Sequence, residues 1–384
     1  MLQTMDTQSD SPLIPENHQP HGHTDRTLAL SVLVLTAIGG VVMLSASAGV
    51  SLDRTGSPSS LWFSHIARMI AGIIVMIVLW RVDYHYLRLL SRPLLVVAFL
   101  LLTGVLLAHW GKSVGRWMNV LGMSFQPSEL ARIAMVLFLA DALVRKHDRL
   151  AELSGTVPFG IIIASMAALV ALEPNLSMAA LIVLLGGTML FLGGVRIRYL
   201  LATAGVIVPP LLIYMVSAPY RRARLITFLN PLSDIKGDGY QLWQSLIGLG
   251  RGGLFGVGPG NGMQKFHFLP EPYKDFIFSI LGEEWGLIGT MLAVTLFVLI
   301  FWRGMQIAKF APDDFGRLLA AGLVISISFN ALINIAVATG AVPTTGLPLP
   351  FLSYGGTSLL MFLACAGVLL NISRHAPYQE DRDE

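Results

Sequence analysis

Long apolar runs recur along the chain, each closed by a short polar break. Crossing the hydrocarbon layer as a helix takes about 20 apolar residues. Ten runs meet that demand: 28–48, 63–80, 93–110, 128–145, 156–173, 176–193, 199–218, 276–302, 317–340 and 356–373. Backbone groups in hydrocarbon must be paired within their own segment, so the runs are expected to be helices. The expected fold class is an all-α polytopic membrane protein of about ten transmembrane helices. A long extracytoplasmic loop, 219–275, is expected between helices 7 and 8. A transmembrane domain over 28–374 is then flanked by a disordered cytoplasmic tail, 1–27, and a short cytoplasmic tail, 375–384.

Composition agrees with a bilayer protein. Hydrophobic residues make up 54% of the 384 and charged residues only 13%, against about 25% charged in soluble domains. The net charge of +3 reads as orientation signal, and no basic stretch interleaved with aromatics points to nucleic acid. Cys365 is the single cysteine, so no intrachain disulfide can form. The first 27 residues lack a basic n-region and are not read as a cleavable signal peptide. His18, His21 and His23 lie in that tail and read as surface polarity, so no metal site is assigned.

Short loops fix the orientation. "RVDYHYLRLLSR" (81–92), "RKHDR" (145–149), "RIR" (196–198) and "RGMQIAKFAPDDFGR" (303–317) alternate with loops poorer in Lys and Arg. The positive-inside bias makes those four cytoplasmic, along with both termini. The loop 219–275 then lies outside. It carries seven bases (Arg221, Arg222, Arg224, Lys236, Arg251, Lys265 and Lys274) against four acids, Asp234, Asp238, Glu271 and Asp275. Long loops cross whatever their charge, yet a cationic excess at the outer headgroups suits an anionic partner, and Arg forks fit phosphate. Attraction to ordinary anionic lipid is the alternative.

Several motifs have plain explanations. In "GLGRGGLFGVGPGNG" (248–262) the glycines at 248, 250 and 253 match a dinucleotide fingerprint, but that motif needs a βαβ frame. Between membrane helices they read as tight, re-entrant backbone. "GKSVGRWMNVLGMSFQPSELAR" (111–132) is a second outside segment. Pro127 and Ser128 start a helix, and Glu129 complements its dipole. Trp117 reads as an interfacial anchor, Arg116 has no such routine role, and Arg132 one turn deeper needs a partner, for which Glu129 is available. In "EPNLS" (173–177) Pro174 and Asn175 make a turn, and Glu173 is either loop-exposed or a polar group in a cavity. Asn330 and Asn334 share a helix face and read as interhelical hydrogen-bonding groups. The Pro- and Gly-rich stretch after them is expected to be a wall or lip.

The acids of "FLPEPYKDFIFSILGEEWG" (268–286) pose a sharper question. A helix starting near Asp275 puts Glu283 and Glu284 roughly 12–13 Å deeper. Asp275 stays at headgroup level beside Lys274. The two glutamates are expected to face the bundle interior, neutral or paired with a base such as Arg68 or Arg132. Read from physics alone, Asp275 is either a dipole-favoured N-terminal acid or a functional group.

The stretch from Arg221 to Gly289, with "GRWMNVLGMSFQPSELAR" and "LPLPFLSYGGTSLL", resembles the FtsW/RodA/SpoVE proteins, the SEDS family, over residues 28–373. "MLSASAG" in the first helix and "VPTTGLPLPFLSYGGTS" are closer to the FtsW branch, the division members. The resemblance implies a peptidoglycan glycosyltransferase that polymerises lipid II at the septum, on the outer face of the bacterial cytoplasmic membrane. It also implies a cognate class B penicillin-binding transpeptidase and other division proteins as partners. Asp275 matches the family's essential acid and Arg116 its important Arg. Asn175 stands where many members have Asp, and Thr345 where division members often have Lys, so neither of those roles transfers.

Such chemistry needs a base at the acceptor's 4-hydroxyl and cations around a departing lipid diphosphate. Asp275 is the candidate base. Arg116, Arg221, Arg222, Arg224, Lys265 and Lys274 are candidate substrate-binding groups, with Glu129, Arg132, Glu283 and Glu284 as supporting polar residues. A divalent cation, Mg or Mn, is a candidate cofactor. The rival readings are a lipid II flippase and a non-catalytic division scaffold.

Overall fold

The computed structural model describes residues 22–108, 115–120, 123–229, 237, 239–269 and 271–376. His18 and His21 in the tail, and Asp234, Lys236 and Asp238 in the long connection, lie outside the described residues. Each of the ten apolar runs is a helix: α1 (Arg26–Thr55), α2 (Ser60–Arg81), α3 (His85–Ala108), α4 (Pro127–Arg145), α5 (Leu153–Leu172), α6 (Leu176–Leu192), α7 (Ile197–Ser217), α10 (Ile277–Lys309), α11 (Asp314–Ala338) and α12 (Gly356–His375). Two shorter helices, α8 (Pro219–Leu229) and α9 (Tyr240–Gly252), belong to the connection between α7 and α10. A small antiparallel hairpin, β1 (Met118–Val120) and β2 (Met123–Phe125), precedes α4 and pairs Met118 with Phe125. The chain is therefore an all-helical polytopic membrane protein with a long connection between its seventh and eighth spans.

Successive crossings alternate in direction. The hairpin, the connection 219–276 and the segment 339–355 therefore share one face of the bundle, here called the loop face. Both ends of the described chain lie on the other.

Eight of the ten helices are long and apolar enough to span a membrane on those grounds alone. α6 is short, at 17 residues. α4 carries Glu129, Arg132, Asp141 and Arg145, a load that hydrocarbon would not tolerate unpaired. Its charges are neutralised inside the bundle. Arg132 Nη2 lies 2.8 Å from Glu129 Oε2 and Arg132 Nη1 2.6 Å from Ser326 Oγ, while Asp141 pairs with Arg88 and Arg145. The partner expected for Arg132 is the one observed. Its guanidinium also stacks 4.5 Å from the Phe362 ring centroid.

α10 is broken where an unbroken helix was expected. Gly286 sits at φ 66°, ψ −161° inside it, and the backbone groups freed by that break are taken up by the glycine-rich stretch. The amides of Leu287 and Ile288 donate to the carbonyls of Gly253 and Leu254 (2.9 and 3.2 Å). In return the amides of Val257 and Gly258 donate to those of Glu283 and Glu284 (3.0 and 3.1 Å). A Cβ on Gly286 would stand 2.3 Å from Gly256 N, and one on Gly256 2.1 Å from Glu284 O, so only glycine permits this approach. Irregular backbone is tolerated at membrane depth when protein covers it. The tight backbone expected of the stretch is present at Gly253, Gly256, Gly258 and Gly260, with the break as its partner, whereas Gly248 and Gly250 lie in the regular helix α9.

Candidate active site

Asp275 stands just before the first residue of α10, in the chain that descends from the loop face. It is half-buried. Two contacts hold its backbone. Asn334, deep on α11, donates from Nδ2 to the Asp275 carbonyl (3.0 Å) and to the Leu347 carbonyl (2.8 Å). Tyr273, two residues earlier, accepts at its carbonyl from the Tyr354 amide (2.9 Å), and the two rings meet edge-on at 5.5 Å. Arg68 stacks 4.7 Å from the Tyr354 ring. The backbone leading into α10 is thus tied to α11 and to the segment preceding α12, which Arg68 of α2 backs through Tyr354.

Arg116 reaches the same place from the hairpin. A Cβ built on Gly346 would lie 3.7 Å from Arg116 Nη2, 3.8 Å from Nη1 and 3.9 Å from Asp275 Oδ2. Acid and guanidinium therefore converge on one bare glycine, outside ion-pair contact with each other. Arg116 Nε is buried without a hydrogen-bond partner. Burial pushes the Asp275 carboxyl up to about 6. Arg116, Lys274 and Arg224 pull against that rise, and Glu271 adds to it. A carboxylate in this position ionises near neutrality and can still take a proton.

Gly346 and Arg116 also line a cavity of about 360 Å³, with Arg221 and Arg224 from α8 and Leu181 and Leu184 from α6. Arg221 is fixed by its Nη1, which donates to the Tyr214 carbonyl (2.5 Å) and to Ser217 Oγ (3.3 Å). Arg224 is exposed. The cavity thus has three guanidiniums at its rim and aliphatic walls below. The wall expected from the stretch after Asn334 is present as Val342–Leu347, where Thr345 Oγ1 is buried without a hydrogen-bond partner.

The other candidates go elsewhere. Arg222 is exposed and does not line this cavity. Lys274 donates to Glu271 (2.8 Å), which also meets Arg54 at 3.4 Å. Lys265 is 4% exposed and turned inward. Its Nζ donates to Ser45 Oγ (2.7 Å), to the Gly260 carbonyl and to Glu284 Oε1 (3.2 Å). Glu283 accepts from the amides of Met263 and Gln264 (2.9 and 3.1 Å) and lies 3.4 Å from Arg251. Both glutamates are interior as expected, but their bases are Arg251 and Lys265 and not Arg68 or Arg132. The reason is the Gly286 break, which turns the glycine-rich connection back onto this half of α10.

Glu173 is buried, with both carboxylate oxygens lacking hydrogen-bond partners, beside a turn whose Pro174 and Asn175 line the cavity. Burial pushes its carboxyl up to about 8. Asn175 caps α6 and donates to Ser128 Oγ at 3.4 Å. Gly346 and the second duty of Asn334 escaped sequence reasoning, because both depend on contacts between distant segments.

The chain matches the model of the FtsW/RodA/SpoVE family, described as cell cycle protein, over residues 25–378. It is 38% identical over 353 residues to the probable peptidoglycan glycosyltransferase FtsW of Trichlorobacter lovleyi, covering 91% of this chain and 93% of that one. It is 40% identical over 360 residues to the stage V sporulation protein E of Bacillus subtilis, covering 92% and 98%. Among solved structures, a chain of a peptidoglycan synthase complex aligns with TM-score 0.76 at 26% identity, over 91% of this chain and 98% of its own length. The rod shape determining protein RodA of Thermus thermophilus aligns with TM-score 0.68 at 25% identity, over 92% and 97%. With fold, length and motifs all in register, the chain belongs to the FtsW/RodA/SpoVE family.

Proposed function

We propose that this protein is a peptidoglycan glycosyltransferase that polymerises lipid II, with Asp275 as its general base. One observation carries the mechanism: Asp275 and Arg116 meet at Gly346, on the edge of a cavity rimmed by Arg221 and Arg224. The Asp275 carboxylate accepts the proton of the acceptor sugar's 4-hydroxyl as that oxygen bonds to the donor's anomeric carbon. The bond from that carbon to the diphosphate oxygen breaks on the opposite face, its electron pair leaves with the diphosphate, and configuration inverts. Arg116, Arg221 and Arg224 bind the diphosphate and stabilise the charge that grows on it. Lys274, tied to Glu271, supports the potential around Asp275 and stays clear of the reacting atoms.

A divalent cation is compatible with this arrangement only as a shared ion. Among the described residues no group of three His, Cys, Asp or Glu side chains is placed to hold a metal. Mg or Mn would be held by Asp275 and by substrate phosphates, and would supply further charge neutralisation at the leaving group.

The loop face is extracytoplasmic in this reading, the membrane is the bacterial inner membrane and the enzyme works at the division septum. The partner is a class B penicillin-binding transpeptidase, a reading supported by the likeness to a chain of a peptidoglycan synthase complex. A flippase needs a polar path for sugars and diphosphate. Arg132, Glu283 and Glu284, the charges that would line one, are buried against other groups of the same chain. A scaffold would need neither a carboxylate with a raised pKa nor a guanidinium-rimmed cavity.

Full-length protein with its cognate transpeptidase, given labelled lipid II in vesicles, separates the three readings. Glycan strands are expected. Transfer of lipid between leaflets without strands would establish a flippase, and neither activity a scaffold.

A further inference from the structure

The polar turns 81–92 and 145–149 read as orientation signals in the sequence, and the fold brings their bases together. On the face of the bundle opposite the loop face, Arg145 and Lys146 line a cavity of about 350 Å³ with Arg92 of α3. Its walls come from α3, α4 and α5, and its uncharged lining residues, Phe138 and Phe159 among them, are all apolar. Phe138 precedes Arg145 by seven residues on α4, so the cavity runs about 10 Å from the charges toward the middle of the bundle. Charge sits at one end and aromatic rings at the other.

The acid beside this cavity is already used up. Asp141 is buried, and its oxygens accept from Arg88 Nε (3.0 Å) and Ser91 Oγ (2.7 Å) and meet Arg145 Nη2 at 2.5 Å. Arg88 leans away over the Phe315 ring of α11, 5.9 Å from its centroid. Lys146 Nζ stands 5.7 Å from the Phe159 ring centroid, on the cavity wall. Among the described residues, no ion pair joins Arg92 or Lys146 to an acid. Asp148 and Glu152, on the turn beyond, are exposed and form no ion pair with this group. Four bases, Arg88, Arg92, Arg145 and Lys146, thus stand against Asp141, an excess of three at the mouth of an apolar cavity.

We infer that this cavity binds an anionic phospholipid from the leaflet opposite the loop face. Its phosphate sits among Arg92, Arg145 and Lys146, and its glycerol esters and upper acyl chain lie against Phe138 and Phe159. A basic pocket between transmembrane helices suits a phosphate head, and Arg forks bind phosphate oxygens in pairs. Orientation signals alone need only bases near the helix ends, whereas these converge on a cavity that three helices wall. A soluble anion would leave the apolar end of the cavity unfilled. A zwitterionic lipid would bring its own cation to a surplus of cations. The bound phosphate draws together the ends of α3 and α4, whose bases otherwise repel one another. A ligand that binds only the folded chain also stabilises it. Nothing in this inference depends on the glycosyl transfer proposed for the loop face.

The test places the full chain in phosphatidylcholine nanodiscs with a phosphatidylglycerol probe that carries a diazirine near the glycerol end of one acyl chain. Photolabelling is expected within residues 138–162. Unlabelled phosphatidylglycerol should displace the probe at least tenfold better than phosphatidylethanolamine or inorganic phosphate. The double variant Arg92→Gln, Lys146→Gln should cut labelling at least tenfold. Both side chains are exposed, and Arg145 keeps Asp141 paired, so the variant should still fold. Arg196→Gln, at an exposed cation on the same face outside the cavity, should leave labelling intact. Added phosphatidylglycerol should raise the melting temperature of wild type and not that of the double variant. Equal displacement by phosphatidylethanolamine overturns the inference, since it marks a gap that any lipid fills. Displacement by inorganic phosphate overturns it too, as the mark of a soluble-anion site, and so does labelling confined to other helices. The competition arm needs no variant, so a misfolded substitution cannot blur the outcome.

Discussion

The side chain of Asn334 holds the backbone of Asp275, its Nδ2 donating 3.0 Å to the Asp275 carbonyl and 2.8 Å to that of Leu347. One amide in the bundle interior thereby ties the candidate base to the segment that carries Gly346. Losing a partner of a buried polar group costs about 1–3 kcal/mol. Asn334→Leu should lower the melting temperature and slow strand synthesis at least tenfold. Asn334→Asp should slow it as well, since it keeps the shape and loses the donor. Melting curves and labelled-strand assays on the same preparations check this.

The protonation of Asp275 sets a pH profile. Its carboxyl is raised to about 6 and works ionised, so the rate should climb as pH passes through about 6 and level off above. Arg116 opposes the rise, so Arg116→Gln should move the midpoint upward as well as lowering the plateau. Stability runs the other way. A carboxyl that holds its proton more tightly when folded stabilises the fold fully below about pH 4, its unfolded value, and that stabilisation is lost as pH rises through about 6. Asp275→Asn should therefore melt higher than wild type above pH 6, with the difference closing below pH 4.

The break in α10 predicts a contrast among glycines. Gly286→Ala and Gly256→Ala force a Cβ to within 2.1–2.3 Å of backbone atoms at positive φ, and should give protein that melts far lower or does not accumulate. Gly250→Ala, on α9 where a Cβ meets nothing within 4 Å, should be neutral or stabilising by about 0.5–1 kcal/mol. Detergent-solubilised yield and melting temperature distinguish them.

Lys265 and Glu284 form a buried pair at 3.2 Å, and breaking one side of such a pair costs about 3–5 kcal/mol. Lys265→Met should be strongly destabilising, and adding Glu284→Gln should recover much of the loss. The double variant should polymerise at near the wild-type rate per folded molecule. A double variant that is stable yet inactive would return Lys265 to the substrate site.

Hydropathy made all ten helices legible, α4 included, because an apolar run of spanning length has few other uses. The glycine-rich stretch was legible as tight backbone from Gly253 on, though its first glycines lie in the regular helix α9. Its counterpart at Gly286 was not, since a lone glycine in an apolar run carries no sign of positive φ. Helix physics left Asp275 open between a dipole-favoured acid and a functional group, and the likeness to a family tipped the balance. Charge counting could not sort the cations. Arg116, Arg221 and Arg224 share a cavity, while Lys265, equally positive and nearer in sequence to Asp275, turns inward to a glutamate. Whether a base meets substrate or a buried acid is decided by which segments fold against each other. Glu173 was open for the same reason, and packing buried it.

The most direct measurement is the single-turnover rate of glycosyl transfer by full-length Asp275→Ala, beside wild type, with the cognate transpeptidase present and lipid diphosphate binding measured in parallel. A fall of about 10²–10⁴-fold, the worth of general-base catalysis, with binding retained is the expected result. Transfer within twofold of wild type would contradict it.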